Sequence, residues 1–164
     1  MLKLTIDTNL INIKQQILSM NTLERWQTER KIELIGTERL KDETFGNQKA
    51  SQKVNAMPNV SEPGVWGISN WGRANWSDET YGPSFKGLAE ALFPNLKKLS
   101  SLSESDTNDV MHLMAHAHND CDFFLTHNKK RFIQDGRKNS LKVKFGSCGV
   151  RGQPHGYIGH LERL

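Results

Sequence analysis

Apolar and polar positions fall into short blocks whose period changes repeatedly along the chain. Leu2 to Ile6 alternates weakly and gives way at Asp7-Thr8-Asn9 to an amphipathic run from Leu10 to Leu18, the pattern of a strand followed at once by a helix. Asn21 and Glu24 have the spacing of a capping box, which predicts a charged helix from about Leu23 to Arg30. Ile32 to Ile35 fits a second strand. Gly36-Thr37 then opens a helix predicted over Glu38 to about Val54, with Leu40 and Phe45 among acids at Glu38, Asp42 and Glu43. This β, α, β, α order predicts a parallel sheet covered by helices on both faces.

Periodicity fades between about Met57 and Gly87, where Gly, Pro, Asn, Ser and Trp dominate, and this stretch reads as a long loop or inserted subdomain. Trp66, Trp71 and Trp76 recur every five residues, a spacing that fits neither a helix face nor a strand face. Leu88 to Phe93 predicts a short helix stopped by Pro94. Ser100 to Asn108 is dense in N-cap residues and leads into a helix predicted over Asp109 to about His118. The continuous apolar run Phe123 to Thr126 predicts a buried strand, and Lys129-Lys130-Arg131 follows it. A further strand within Leu141 to Val150 and a final helix near Tyr157 to Leu164 complete the prediction: one domain spanning 1–164, built on four or five parallel strands, with a Gly/Trp-rich insertion at about 46–86.

Composition narrows this picture in three ways. At 36% hydrophobic and 24% charged over 164 residues, the chain can bury a core, which excludes wholesale disorder. No apolar run approaches the roughly 20 residues of a membrane helix, and Leu2 to Ile6 is too short for a signal peptide. Cys121 and Cys148 are two thiols in or beside apolar stretches, which suits the cytoplasm. The net charge of +4 is compatible with a polyanionic partner without requiring one.

The chemistry to expect lies with the acids. In an open parallel sheet, ligands sit beyond the carboxyl ends of the strands. Asp7 ends the first predicted strand and Thr126 to Asn128 ends a later one, while Glu43 and Asp109 lie on helices able to lean over the same crevice. Carboxylates gathered without matching cations repel each other, and a hard divalent ion such as Mg²⁺ or Mn²⁺ is the usual remedy. Taken singly, each acid also has an ordinary reading as a turn, cap or solvated residue.

Together these residues resemble the PIN-domain nucleases. Leu4-Thr5-Ile6-Asp7-Thr8-Asn9 is similar to the opening of that family. Asn108-Asp109-Val110-Met111-His112-Leu113-Met114-Ala115, followed by Cys121-Asp122-Phe123-Phe124-Leu125-Thr126-His127-Asn128, is similar to its Asp-led helix and its strand ending in Thr-x-Asp. Ile32 to Thr37 with Glu43 resembles the second strand and the Glu-bearing helix. The resemblance implies a three-layer α/β/α sandwich and a metal-dependent endoribonuclease. Asp7, Glu43 and Asp109 would be metal ligands, Asn128 would complete the shell through water, and Thr126 would hydrogen-bond within it. The partners to expect are RNA, an antitoxin protein and a second copy of the chain. One position departs from the family pattern: its last acid is Asn128 here, one negative charge fewer. His127 and Asp106 are the nearby compensators, whereas Asp122 belongs to the opposite end of its strand.

Other residues have competing readings. His112 and His116 share a helix face, but Leu113 stands where a zinc protease needs Glu, so packing is the simpler role; His118 is placed at the surface or crevice rim with His116. The tryptophans could stack on unpaired bases, with Arg73, Lys86 and Lys49 on phosphates, or could anchor an irregular loop. Lys129, Lys130 and Arg131 are placed to meet an RNA backbone or form a solvated face. The function expected is therefore Mg²⁺- or Mn²⁺-dependent RNA hydrolysis, with a catalytically degenerate RNA-binding or protein-interaction module as the alternative. A phosphotransferase using Asp7 as nucleophile would need an acid at Asn9.

Overall fold

The computed structural model describes residues 1–11, 18–69, 72, 74–75, 81–134 and 157–160. Five parallel strands form the central sheet in the order β3-β2-β1-β6-β7. They are β1 (Leu2–Ile6), β2 (Ile32–Thr37), β3 (Asn59–Val60), β6 (Phe123–Thr126) and β7 (Tyr157–His160). A separate parallel pair joins β4 (Glu62–Pro63) to β5 (Ala74–Asn75). Helices α1 (Thr8–Ile11), α2 (Leu18–Thr28), α3 (Glu38–Glu43), α4 (Gln48–Asn55), α5 (Tyr81–Leu92), α6 (Glu104–His118) and α7 (Lys129–Phe132) lie around the sheet. The fold is thus the expected α/β architecture with a parallel sheet between helical layers.

Strand alternation divides the core in two. Leu4, Ile6, Leu34 and Leu125 turn to one side and pack with Leu10, Leu23, Leu40 and Val54 from helices α1 to α4. Phe124 turns to the other side, where it meets Val110 and Leu113 of α6, Phe85 and Leu88 of α5, and Phe132 of α7. Phe124 has no exposed surface, and burying a side chain of that size contributes about 2–3 kcal/mol. Thr5 and His116 meet within the same layer, Thr5 Oγ1 lying 2.5 Å from His116 Nδ1. The ring of His116 stands edge-on to Phe124 at 5.7 Å, and burial pushes its pKa down to about 4. His116 is therefore a neutral core residue, not the rim residue expected from its position in the sequence.

Several predicted boundaries move for identifiable reasons. Asn21 lies inside α2, which begins at Leu18, so it caps nothing. The helix predicted over Glu38 to Val54 is two helices. The chain turns at Gly46, whose φ of +89° is accessible to glycine, and Asn47 restarts it by accepting the Ala50 N–H. Part of the 46–86 stretch is integral to the core, since Ala50 and Val54 of α4 are buried and β3 pairs with β2. The remainder is not all loop, because α5 starts at Tyr81, with Pro83 in its first turn where a missing N–H costs little.

At α6, Ser103 Oγ accepts the Asp106 N–H while Asp106 Oδ2 accepts the Ser103 N–H. This capping box starts the helix at Glu104, so Asp109 sits in its second turn instead of leading it. Residues 157–160 form a strand paired with β6 where a helix is expected; the predicted strand within 141–150 lies outside the described residues, as does Cys148. Cys121 is a buried free thiol, its pKa pushed up to about 11 by burial. No helix among the described residues is long and apolar enough to cross a membrane.

Candidate functional site

The strand order reverses at β1, which has β2 on one side and β6 on the other, and the crevice beyond their carboxyl ends is where such sheets place ligands. Asp7 leaves β1 there. Its backbone N–H donates to the Leu125 carbonyl at 2.9 Å. Its Oδ2 accepts from Thr126 Oγ1 at 2.7 Å and from Asn9 Nδ2 at 3.1 Å, and the residue is only 2% exposed. Thr126 Oγ1 in turn accepts the Asn128 N–H at 2.9 Å.

Asp109 faces the same crevice from α6. Burial, reinforced by the charge of Asp7, pushes its pKa up to about 6 even though Arg131 opposes the shift. Arg131 Nη1 donates to both Asp109 Oδ2 and Asp106 Oδ1, and the guanidinium lies 5.4 Å from the centre of the Phe93 ring. Asn128 sets this up by capping α7, its Oδ1 accepting the Arg131 N–H at 3.2 Å.

Glu43 ends α3 and is held by three side chains. His112 Nε2 lies 2.9 Å from its Oε2, Thr8 donates to the same oxygen, and Asn108 Nδ2 donates to Oε1 at 2.9 Å. Burial would raise the Glu43 pKa, but the hydrogen bond and charge of His112, helped by Thr8 and Asn108, hold it at about 2. His112 is itself buried; burial disfavours its charge, and Glu43 outweighs that, with Asp7 and Asp109 adding to the upward shift. Thr37 Oγ1, at the carboxyl end of β2, fixes the other ring nitrogen at 2.6 Å. Behind Asn108, Arg39 Nη1 donates to its Oδ1 at 2.6 Å while Nε pairs with Glu62 at 2.7 Å.

The fold therefore brings Asp7, Glu43, Asp109, Thr126 and Asn128 to one edge of the sheet, but it does not make four of them a ligand shell. Both Glu43 oxygens serve His112, Thr8 and Asn108, and the Asn128 carboxamide oxygen caps a helix. Among the described residues, no three His, Cys, Asp or Glu side chains are arranged to hold a metal ion. Asp7 and Asp109 remain, a repelling pair of oxygen donors whose chemistry suits a hard divalent cation. Of the two expected compensators, Asp106 is paired with Arg131 and His127 is exposed.

The basic residues divide differently from expectation. Lys130 is exposed, but Arg131 points inward to two carboxylates, and Arg73, Trp71 and Trp76 lie outside the described residues. Thr8, Thr37, Arg39 and Asn108 are not among the site residues expected from the sequence, and His112 is expected there only as a packed or hydrogen-bonded residue beside Asp109, without its partners Glu43 and Thr37. Thr8 and Thr37 carry a usable signal, since they stand at the carboxyl ends of predicted strands just as Asp7 does. Comparison with known proteins finds no matching family model, no matching characterised protein and no matching solved structure.

Proposed function

We propose that this crevice is the active site of a Mg²⁺- or Mn²⁺-dependent endoribonuclease of the PIN-like kind, acting in the cytoplasm. The observation that carries the reading is the pairing of buried Asp7 with buried Asp109 at the reversal point of the sheet, close enough for Asp7 to raise the Asp109 pKa to about 6. Asp7 and Asp109 would hold the ion. When bound, it lowers the pKa of water and offsets the charge that develops on the phosphate. Thr126 and Asn9 hold the Asp7 carboxylate in a single orientation. Glu43 acts from a distance: paired with His112, and bonded to Thr8 beside Asp7, it positions the start of α1 against α6. Lys130 stands on the exposed side of α7, where an RNA backbone can be met.

The test is cleavage of single-stranded RNA by the purified protein with Mn²⁺ and with EDTA. Cleavage should require the metal and vanish in Asp7→Asn; undiminished cleavage by that variant would sink the proposal. The compensation of Glu43 by His112 and of Asp109 by Arg131 favours a second reading, a catalytically degenerate module that binds RNA or protein. Calorimetry separates the two, because that module would show no Mn²⁺ or Mg²⁺ binding while still binding RNA or a protein.

A further inference from the structure

A guanidinium carries five N–H donors, and Arg131 commits only those of Nη1. Their acceptors are Asp106 Oδ1 and Asp109 Oδ2. Nε and Nη2, whose N–H bonds run side by side, meet no acceptor among the described residues. Arg39 shows what that fork holds when it is filled: its Nε and Nη2 both donate to Glu62, at 2.7 and 3.4 Å. The Arg39–Glu62 pair is largely buried, whereas the Arg131 side chain keeps 31% of its surface in solvent. Phe93 backs the guanidinium, its ring centre 5.4 Å from Cζ, so the group is held at one nitrogen and along one face. An open fork of fixed orientation therefore stands beside Asp109, on the crevice that gathers Asp7, Glu43 and Asp109.

From this geometry we infer that the open fork of Arg131 binds a phosphate of the RNA chain, with Asp106 as the anchor that aims it. Nε–H and Nη2–H match the spacing of two phosphate oxygens as they match the two carboxylate oxygens of Glu62 in the Arg39 pair. A phosphodiester approaching Asp7 and Asp109 is repelled unless a cation meets it, and Arg131 is a cation that the chain itself places at that point. Asp106 lies outside the pair that would hold an ion, so its grip on Nη1 does not depend on whether Asp109 is engaged. The fork alone would also take a carboxylate. The site at Asp7 and Asp109 decides for the phosphodiester, and to that extent the inference rests on the nuclease reading.

The experiment is an NMR titration of the full chain in EDTA, following the Nε–H signal of Arg131. The probes are a short single-stranded oligouridylate, an oligoadenylate of the same length, a morpholino strand with a neutral backbone, and a capped Ala-Glu-Ala peptide. Both charged strands should shift the signal, and the morpholino and the peptide should not. Arg131→Lys keeps a positive charge opposite Asp106 and Asp109 but has no fork, and it should weaken both charged strands alike by about three- to tenfold. The Nε–H signal is read on the parent chain, so the test survives a variant that folds poorly. An unmoved Arg131 signal, full-strength RNA binding by a folded Arg131→Lys, or a peptide shift equal to that from RNA would overturn the inference. A loss confined to one of the two strands would overturn it by assigning Arg131 to a base, since a phosphate contact carries no sequence. Calorimetry with Mn²⁺ and a cleavage assay on the same protein judge the nuclease reading separately. A shifted Arg131 signal in a chain that neither binds Mn²⁺ nor cuts RNA would overturn that reading and support the phosphate contact.

Discussion

Arg131 shares a single guanidinium nitrogen between Asp106 and Asp109, which lie three residues apart on α6, and so stands as a built-in cation against one of the two carboxylates that would hold metal. A divalent ion and this guanidinium compete for the same charge. Replacing the arginine by Arg131→Gln removes the pairing from a buried carboxylate and should cost about 1–3 kcal/mol in the metal-free protein. Thermal unfolding with and without MnCl₂ checks the competition: Mn²⁺ should raise Tm more in the variant than in the parent. Equal increments would mean that Arg131 and the ion do not compete.

Asp109 gives a pH signature of its own. Its carboxyl holds its proton up to about pH 6 in the folded chain, against an ordinary value of 3.8. Between those values the folded state carries a proton that the unfolded chain has released, so stability falls as pH rises through this window. The shift caps the loss at about 3 kcal/mol. Asp109→Asn removes it, and the metal-free variant should therefore melt above the parent at pH 7, with the gap closing toward pH 4. A scan of Tm against pH that shows a constant or opposite gap would contradict this.

The Glu43–His112 pair behaves in the opposite sense at each end of the pH scale. Glu43, lowered to about 2 from 4.5, contributes stability that is complete above 4.5 and is lost as pH falls toward 2. His112, raised from 6.5, contributes stability that is complete below 6.5 and is lost as pH rises through its folded value. A double-mutant cycle of His112→Gln and Glu43→Gln, read by urea unfolding near pH 5.5, should give a coupling of about 1–3 kcal/mol. The coupling should shrink at strongly alkaline and strongly acid pH.

Gly36 is required by close approach. A Cβ there would lie 2.6 Å from Asn59 Oδ1 and 3.3 Å from Leu40 Cδ2, at the point where β2 meets β3. Gly36→Ala should destabilise the chain by about 1–3 kcal/mol. The same substitution should cost less in an Asn59→Ala background, and urea titrations of the four proteins measure the difference. Strict additivity would show that the contact relaxes without cost.

Legibility followed the range of the interactions involved. β1, β2 and β6 were readable because their apolar runs are local, and the rule for parallel sheets then placed Asp7 and Thr126 at one edge. The start of α6 was missed because Ser103 and Asp106 form a capping box in a segment crowded with other capping candidates. β7 was misread because four residues carry too little period to separate a strand from a helix. The counterions were illegible for a different reason. Nothing within Lys129-Lys130-Arg131 marks the third residue as the one that turns inward; the carboxylates of Asp106 and Asp109 and the Phe93 ring, all from distant chain, decide it. His112 likewise owes the upward shift of its pKa chiefly to Glu43, 69 residues away.

The hydrogen bond from Thr126 to Asp7 spans 119 residues, and β6 is the strand that pairs with β1 on the side away from β2. A ribosome releasing this chain therefore makes Asp7 and Glu43 long before, and Asp109 shortly before, the strand that gathers them. Contacts of such long range form slowly and late. Chains cut short before Phe123 would carry all three acids with no crevice to put them in. For a protein proposed to cut RNA, that order of assembly withholds the crevice until β6 has been made and has paired with β1.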